Sequence, residues 1–400
     1  MDILTSKYYF RCNKFLRFCG HWPYQKPIIK ILNQTLLMIT ILTIFIPQMI
    51  KMFEMRHDFQ GFILSIPSFL YYGNFIFKNI FATILRKEIK KVLEQINYDF
   101  KVLYDKDLKI LDKYYKKAYD INTYYIVYML VAVFFYSMLP FTLHTMDIVF
   151  PKNESRLPQS PRLIKYYINI FDDNIYFITF HGFLCDTLSI IFLLGFDTLY
   201  FTFVYHACAL FVIVTTNLHD SIIMVNQCAN IESKEHHKKK EELFKQKFFK
   251  CIILHKYTLE FVDKLQSGFS NLNIFSIVCA MIPLTITGFE AILYNKNLSQ
   301  MVRFIFFAVA EIIHLFYYNW PGEKIQEHSL LVYKACYNCK WYENSISNKY
   351  KRLLSFMILR SQKPCLLTAG TIYILNMENF SAVIKVSVSY FTVLSSLMSP

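Results

Sequence analysis

The sequence predicts an all-α membrane protein with seven transmembrane helices, N-terminus cytoplasmic and C-terminus extracellular. Three observations carry that expectation. Hydrophobic residues are 54% of the 400 and aromatics 18%, Gly and Pro number only 9 and 12, and mean hydropathy is +0.29. Seven apolar stretches of bilayer length recur, at about 28–50, 62–85, 124–143, 175–195, 269–293, 301–320 and 380–398. The net charge of +14 is divided unevenly between alternate loops: 32 Lys and Arg lie in 1–27, 86–122, 217–268 and 321–364, against 7 in 51–60, 144–174 and 295–300. The positive-inside rule places the first set in the cytoplasm. A charge excess spread in this way is a topology signal and predicts no nucleic-acid partner. The sequons Asn153-Glu-Ser155 and Asn297-Leu-Ser299 fall in loops expected outside, as glycosylation requires.

Taken in order, Lys7, Arg11, Lys14 and Arg17 precede no signal-peptide core, so the first span is expected to act as the insertion signal. Pro47 sits near its outer end, where a kink costs least. In the second span Lys78 is placed to snorkel toward the cytoplasm. Residues 86–121, charged but studded with Ile, Leu and Tyr, read as cytoplasmic extensions of helices two and three. The run 174–218 is more than twice the length a crossing needs. A hairpin hinged at Gly195-Phe-Asp197 would put seven lysines between 234 and 250 outside, so one long helix is expected. Its lower half, with Asp197, Tyr205, His206 and Asn217, then requires covering by 243–266 and 325–362, in a cytoplasmic anchor spanning about 196–266 and 321–379. The chain is expected to form a single domain, 1–400.

Nothing predicts an enzyme, a cofactor or a metal site. G-x-S-x-G, H-E-x-x-H, P-loop and G-x-G-x-x-G patterns are missing, and Cys336-x-x-Cys339 has no second pair at zinc-ligand spacing. The ten Cys show no paired framework in the outer loops, so no structural disulfide is expected. Ionisable residues inside spans are the functional candidates. Glu311 and His314 share one helix face and read either as a mutual hydrogen bond or as determinants of ligand polarity or coupling. Asp186 and His181 stand similarly in the fourth span. The outer halves of spans two to six are dense in aromatics, among them Phe69, Tyr72, Phe134, Tyr136, Phe180, Phe183 and Phe307. With Glu311 these are the candidate lining of a pocket for a small, volatile hydrophobe held by dispersion and apolar burial.

The last span keeps one polar face. Ser381, Lys385, Ser389, Thr392 and Ser396 are spaced 4, 4, 3 and 4 residues apart, which makes a single stripe at 3.6 residues per turn. Such a stripe serves either as a helix–helix contact or as a pore wall. Two motifs bear on that choice. Thr368-Ala369-Gly370 follows Gln362-Lys363-Pro364 by one turn and leads to a run closing in Ser389-Tyr390-Phe391-Thr392. Upstream, Tyr317-Tyr318-Asn319-Trp320-Pro321-Gly322 continues through Ser329 to Ala335, Tyr337 and Trp341. Together they resemble the C-terminal signature of the insect odorant receptors, and most of the chain fits that family's layout.

The resemblance implies an odorant-gated, non-selective cation channel subunit. It implies an odorant pocket between spans two, three, four and six, and a pore lined by the last helix. The family's gate position falls on Val393, with Ser396 and Leu397 one turn further out. Ser389 and Thr392 are added to that wall by the polar stripe itself, on which Ser396 also lies while Val393 falls at its edge. Lys385 matches a common basic residue and is expected to snorkel to lipid phosphate or face a neighbour. The short loop between spans four and five implies a tuning subunit that works in a heterotetramer with the family's co-receptor, in the plasma membrane of olfactory neurons. A gustatory receptor of the same superfamily would show Thr-Tyr followed by Gln-Phe in its last helix. A G-protein-coupled chemoreceptor would need the inverse orientation.

Overall fold

The computed structural model describes residues 6–149, 162, 164–166, 174–228, 234–293, 298–339 and 347–398. Ten α-helices are formed among them: α1 (Phe10–Phe18), α2 (Pro27–Glu54), α3 (Phe59–Ile84), α4 (Arg86–Val102), α5 (Asp105–Val149), α6 (Ile175–Cys228), α7 (Lys234–Leu293), α8 (Leu298–Asn338), α9 (Asn348–Ser361) and α10 (Met377–Met398). The fold is all-α with seven membrane helices, α2, α3, α5, α6, α7, α8 and α10. Among the described residues, four stretches suffice by length and composition alone to cross a bilayer: Pro27–His57, Asp105–Ser137, Ile175–Ile223 and Glu242–Ala291. Within the bundle α3 buries Asn74 and Lys78, and α8 buries His314 and Asn319. Below, "upper" is the end holding Asp58 and Asn174, and "lower" the end holding Leu85 and Ser361.

α6 is the axis of the bundle. Its 54 residues form one helix of about 80 Å. Every residue from 192 to 211 is buried, which a helix apolar on all faces requires. The sequence offered Gly195 as a hinge, and the helix runs straight through it. A Cβ there would come within 3.0 Å of Phe15 Cβ and 3.3 Å of Leu16, so glycine admits α1 into close contact with α6.

The lower layer differs from the expectation in one respect. Residues 86–121 are not two simple extensions. The chain breaks at Leu85, α4 forms a separate amphipathic helix burying Ile89, Val92, Leu93 and Ile96, and α5 then runs unbroken from Asp105 through the third span. α4 and lower α5 therefore cover lower α6 together with α7 and α8. Asp99 of α4 seals that layer: it accepts from Tyr257 at 2.5 Å and bonds His206 Nε2 at 2.9 Å, and His206 Nδ1 meets Tyr115 at 3.1 Å.

The two motifs of the sequence meet in space. Thr368–Ala369 and Tyr373–Ile374 make a short antiparallel hairpin, with Gly370 at φ 61° in its turn. Gln266 Oε1 accepts from Thr368 N at 2.6 Å and Ser270 O accepts from Gly370 N at 3.0 Å, which fastens the hairpin to α7. On its other side, Tyr373 donates to Asn319 at 3.0 Å and Cys365 N to Ser329 Oγ at 2.9 Å, both on α8. Gly322 makes this approach possible, because a Cβ would lie 2.1 Å from Leu375 O.

Candidate ligand cavity and terminal-helix face

Four helices enclose a cavity in the upper half of the bundle. α3 contributes Ser68 and Tyr71, α5 Met129, Val133 and Tyr136, α6 Asp186 and Ile190, and α8 Phe306, Phe307, Ala310 and Glu311. The space between these side chains is about 600 Å³, counting its open mouth. The walls are mostly hydrocarbon and aromatic, as a site for a small apolar molecule requires.

One end is closed by an ion pair. Arg162, from the α5–α6 connection, reaches Asp186 of α6, with both side chains buried. Asp186 also accepts from Tyr72 at 2.8 Å and Ser137 at 3.1 Å, and its backbone carbonyl from Tyr71 at 3.2 Å. The carboxylate is therefore fully committed to protein donors, as a charge at this depth must be. Glu311 differs. Its side chain lines the cavity, and among the described residues no hydrogen bond is formed to its carboxyl. Glu311 and His314 form no hydrogen bond with each other, and His314 Nδ1 meets the Tyr125 hydroxyl at 2.7 Å instead.

The structure distributes the sequence candidates unevenly. Tyr136, Phe307 and Glu311 line the cavity. Tyr72 is wholly buried behind it, holding Asp186. Phe69 stacks on Phe45 of α2 at 5.1 Å. Phe134 and Phe180, 51% and 64% exposed, stand on the outer surface, and Phe183 lies edge-on to Phe134 at 6.5 Å. Arg162 was missed. A signal existed: an acid inside a span implies a cation near it, and the connection from 144 to 174 holds only four Lys and Arg. Asn153 and Asn297 lie outside the described residues, as does the Leu397 side chain.

α10 packs on α7 and α8 through a narrow strip, with Val383 and Ser387 buried. Ser381, Lys385, Ser389, Thr392 and Ser396 are all exposed, as are Val386, Tyr390 and Val393. Ser381, Thr392 and Ser396 donate to backbone carbonyls one turn back, at 2.9, 2.7 and 2.8 Å. These hydroxyls can thus face water or a neighbour without leaving an orphan donor. The foot of α10 is held by α8: Glu323 accepts from Met377 N at 3.0 Å and Phe316 meets Phe380 edge-on at 5.8 Å. One helix, α8, therefore forms a wall of the cavity above and the socket of α10 below.

Comparisons with known proteins agree on a family. The 7tm Odorant receptor family matches residues 58–388. Putative odorant receptor 92a of Drosophila melanogaster is 26% identical over 143 residues, 36% of this chain and 34% of that protein. Odorant receptor 13a of the same species is 27% identical over 154 residues, 36% and 37% of the two chains. Odorant receptor Or2 of Anopheles gambiae is 26% identical over 144, again 36% and 37%. The chain thus spans about a third of the length of these relatives in each match. Among solved structures, the insect olfactory receptor OR5 from Machilis hrabei in complex with eugenol superimposes with a TM-score of 0.74, covering 98% of each chain at 11% identity. The same receptor in a second structure gives 0.73 over 97% of each at 12%. At those identities the likeness is one of fold. With the family match reaching across most of the sequence, the chain belongs to the 7tm odorant receptor family.

Proposed function

We propose that the chain is the ligand-tuning subunit of an odorant-gated, weakly selective cation channel. It binds small, largely apolar odorants in the cavity between α3, α5, α6 and α8. The observation that carries this reading is the double role of α8. Phe306, Phe307 and Glu311 face the cavity, while Phe316, Asn319 and Glu323 hold the hairpin and the foot of α10. A ligand that favours one position of α8 shifts the population of α10 positions by its differential affinity for the two.

In an assembly of four subunits, the hydroxyl stripe of α10 is the pore wall. Val393, with Leu397 a turn above, is the apolar constriction that wets when α10 moves outward. Ser389, Thr392 and Ser396 line the conducting path. The lower layer is the cytoplasmic anchor, the upper end is extracellular, and the assembly sits in the plasma membrane. Exposed apolar side chains on lower elements, Phe356 and Leu359 of α9 among them, are the surface on which subunits, including the family's co-receptor, pack.

Co-expression with a co-receptor and recording of odorant-evoked currents tests the reading. Currents are expected only when both chains are present. Robust odorant currents from this chain alone would overturn the tuning-subunit assignment, and no current with the co-receptor across a broad panel would overturn the channel.

A further inference from the structure

The α1–α2 turn, the lower ends of α2 and α3, and the start of α4 meet around His21. Its ring is buried, with Nδ1 3.2 Å from Gln34 Nε2 of α2 and the ring 4.8 Å from that of Phe192 on α6. Asn79 of α3, Arg86 of α4 and Lys30 of α2 are its polar neighbours. Burial first, then the charge of Arg86, hold the His21 pKa down to about 3 against an opposing hydrogen bond to Asn79, with Lys30 adding a smaller push in the same direction, so the ring is neutral.

The donors around it are left over. Arg86 Nε and Nη2 are withdrawn from solvent and have no hydrogen-bond partner. Nδ2 of Asn79, a residue only 4% exposed, likewise has no partner, although the other end of the amide is engaged with the His21 ring. Lys30 lies within electrostatic reach of Arg86, and among the described residues neither is paired with a carboxylate. Two cations and a set of orphaned donors held together in this way are costly unless an anion completes them. The guanidinium fork matches phosphate oxygens two at a time.

The surroundings indicate the source of that anion. On the first turns of α2, flanking Lys30, Ile28, Ile31 and Leu32 are exposed, a hydrocarbon surface beside the charged cluster. Tyr24 lies at the same level, with Lys90 Nζ of α4 5.6 Å from its ring centroid. Aromatic and basic side chains at the foot of an apolar helix mark the depth of lipid headgroups.

We propose that Arg86, Lys30 and Asn79 form a binding site for the headgroup phosphate of an anionic phospholipid bearing a phosphomonoester, its acyl chains lying along the exposed side of α2. A doubly charged phosphate balances the two cations, whereas the phosphate of a zwitterionic lipid brings its own countercharge. Occupancy would pin α2 to the α3–α4 junction at Leu85. It would thereby steady α3, whose upper half is a wall of the cavity.

The test uses the full chain in phosphatidylcholine nanodiscs titrated with a fluorescent short-chain phosphatidic acid, with inorganic phosphate as the competing soluble anion. Arg86→Gln and Lys30→Gln are each expected to weaken phosphatidic acid binding about tenfold or more. Arg86→Lys should retain part of it, and Lys87→Gln, at an exposed neighbour, all of it. Inorganic phosphate at matching concentration should not displace the lipid. Equal binding by the wild-type chain and both glutamine variants would overturn the site, and full displacement by inorganic phosphate would overturn the lipid. Phosphatidic acid should also raise the melting temperature of the wild-type chain but not of Arg86→Gln or Lys30→Gln. These readouts involve neither odorant nor current. Either glutamine variant alone suffices if the other does not fold.

Discussion

Lys78 Nζ and Asp197 Oδ1 lie 2.9 Å apart with both side chains sealed from solvent inside the bundle. Tyr318 completes the contact, accepting from Lys78 at 2.6 Å and donating to Asp197 at 2.5 Å. The triad joins α3, α6 and α8, three of the four helices that enclose the cavity. On α8 it lies seven residues below Glu311, and on α6 eleven below Asp186, which places it about 10–16 Å beneath the cavity. Lys78 does not snorkel as the sequence suggested. Its position is set by a partner that comes from the continuity of α6 through Asp197.

Asp197→Asn and Lys78→Met should each destabilise the chain, because removing one member strands the other charge at a cost of about 3–5 kcal/mol. The double replacement Lys78→Met with Asp197→Leu should recover much of the loss. Thermal melting of the purified chain in detergent checks both statements. Single variants that melt with the wild type would show the pair to be solvated.

How much of this was legible beforehand depends on whether a side chain had an alternative. The length of α6 was readable, because a hairpin would have carried seven lysines across the membrane. The hairpin at Thr368-Ala369-Gly370 appeared as a motif but not as a strand pair, since two-residue strands leave no period to detect. The cavity lining was not readable. In a soluble helix an aromatic stripe marks the core, but here lipid and cavity are both apolar, so Phe180 and Phe307 look alike in sequence and face opposite ways. The Arg86 cluster was invisible for a different reason: it is defined by what its donors meet across elements far apart in the chain.

Glu311 carries the open polar group of the cavity wall. Glu311→Leu is expected to reduce sensitivity to hydroxyl-bearing odorants about tenfold, the value of one hydrogen bond to a charged or buried group. Responses to hydrocarbons of the same shape should be unchanged. Concentration–response currents for matched alcohol and alkane pairs make the comparison. Parallel shifts for both members would assign Glu311 to packing alone.

Gly322 and Gly73 offer a contrast within the membrane helices. A Cβ at Gly322 would fall 2.1 Å from Leu375 O, while one at Gly73 meets nothing within 4 Å. Gly322→Ala should push the hairpin off α8 and cost about 1–3 kcal/mol of stability. Gly73→Ala should be neutral or stabilising by about 0.5–1 kcal/mol. Melting temperatures in the opposite order would mean that the hairpin yields freely, and α8 would then lose its hold on α10.

Two valines on α10 separate a gate from a packing role. Val383 is 8% exposed, wedged against the bundle, and Val393 is 50% exposed ten residues further along. Val383→Ala deletes buried methyl groups and should cost about 1 kcal/mol or more, lowering the amount of channel at the surface without changing its behaviour per molecule. Val393→Ala removes no intrasubunit contact of comparable burial, so stability should hold. If α10 helices converge at Val393, however, trimming it widens an apolar constriction and admits water, so the ligand-free current per surface channel should rise. Surface labelling alongside whole-cell recording, with the co-receptor present, resolves the two effects. A basal current unmoved by Val393→Ala at normal surface level would remove this residue from the constriction and leave its exposed face to lipid.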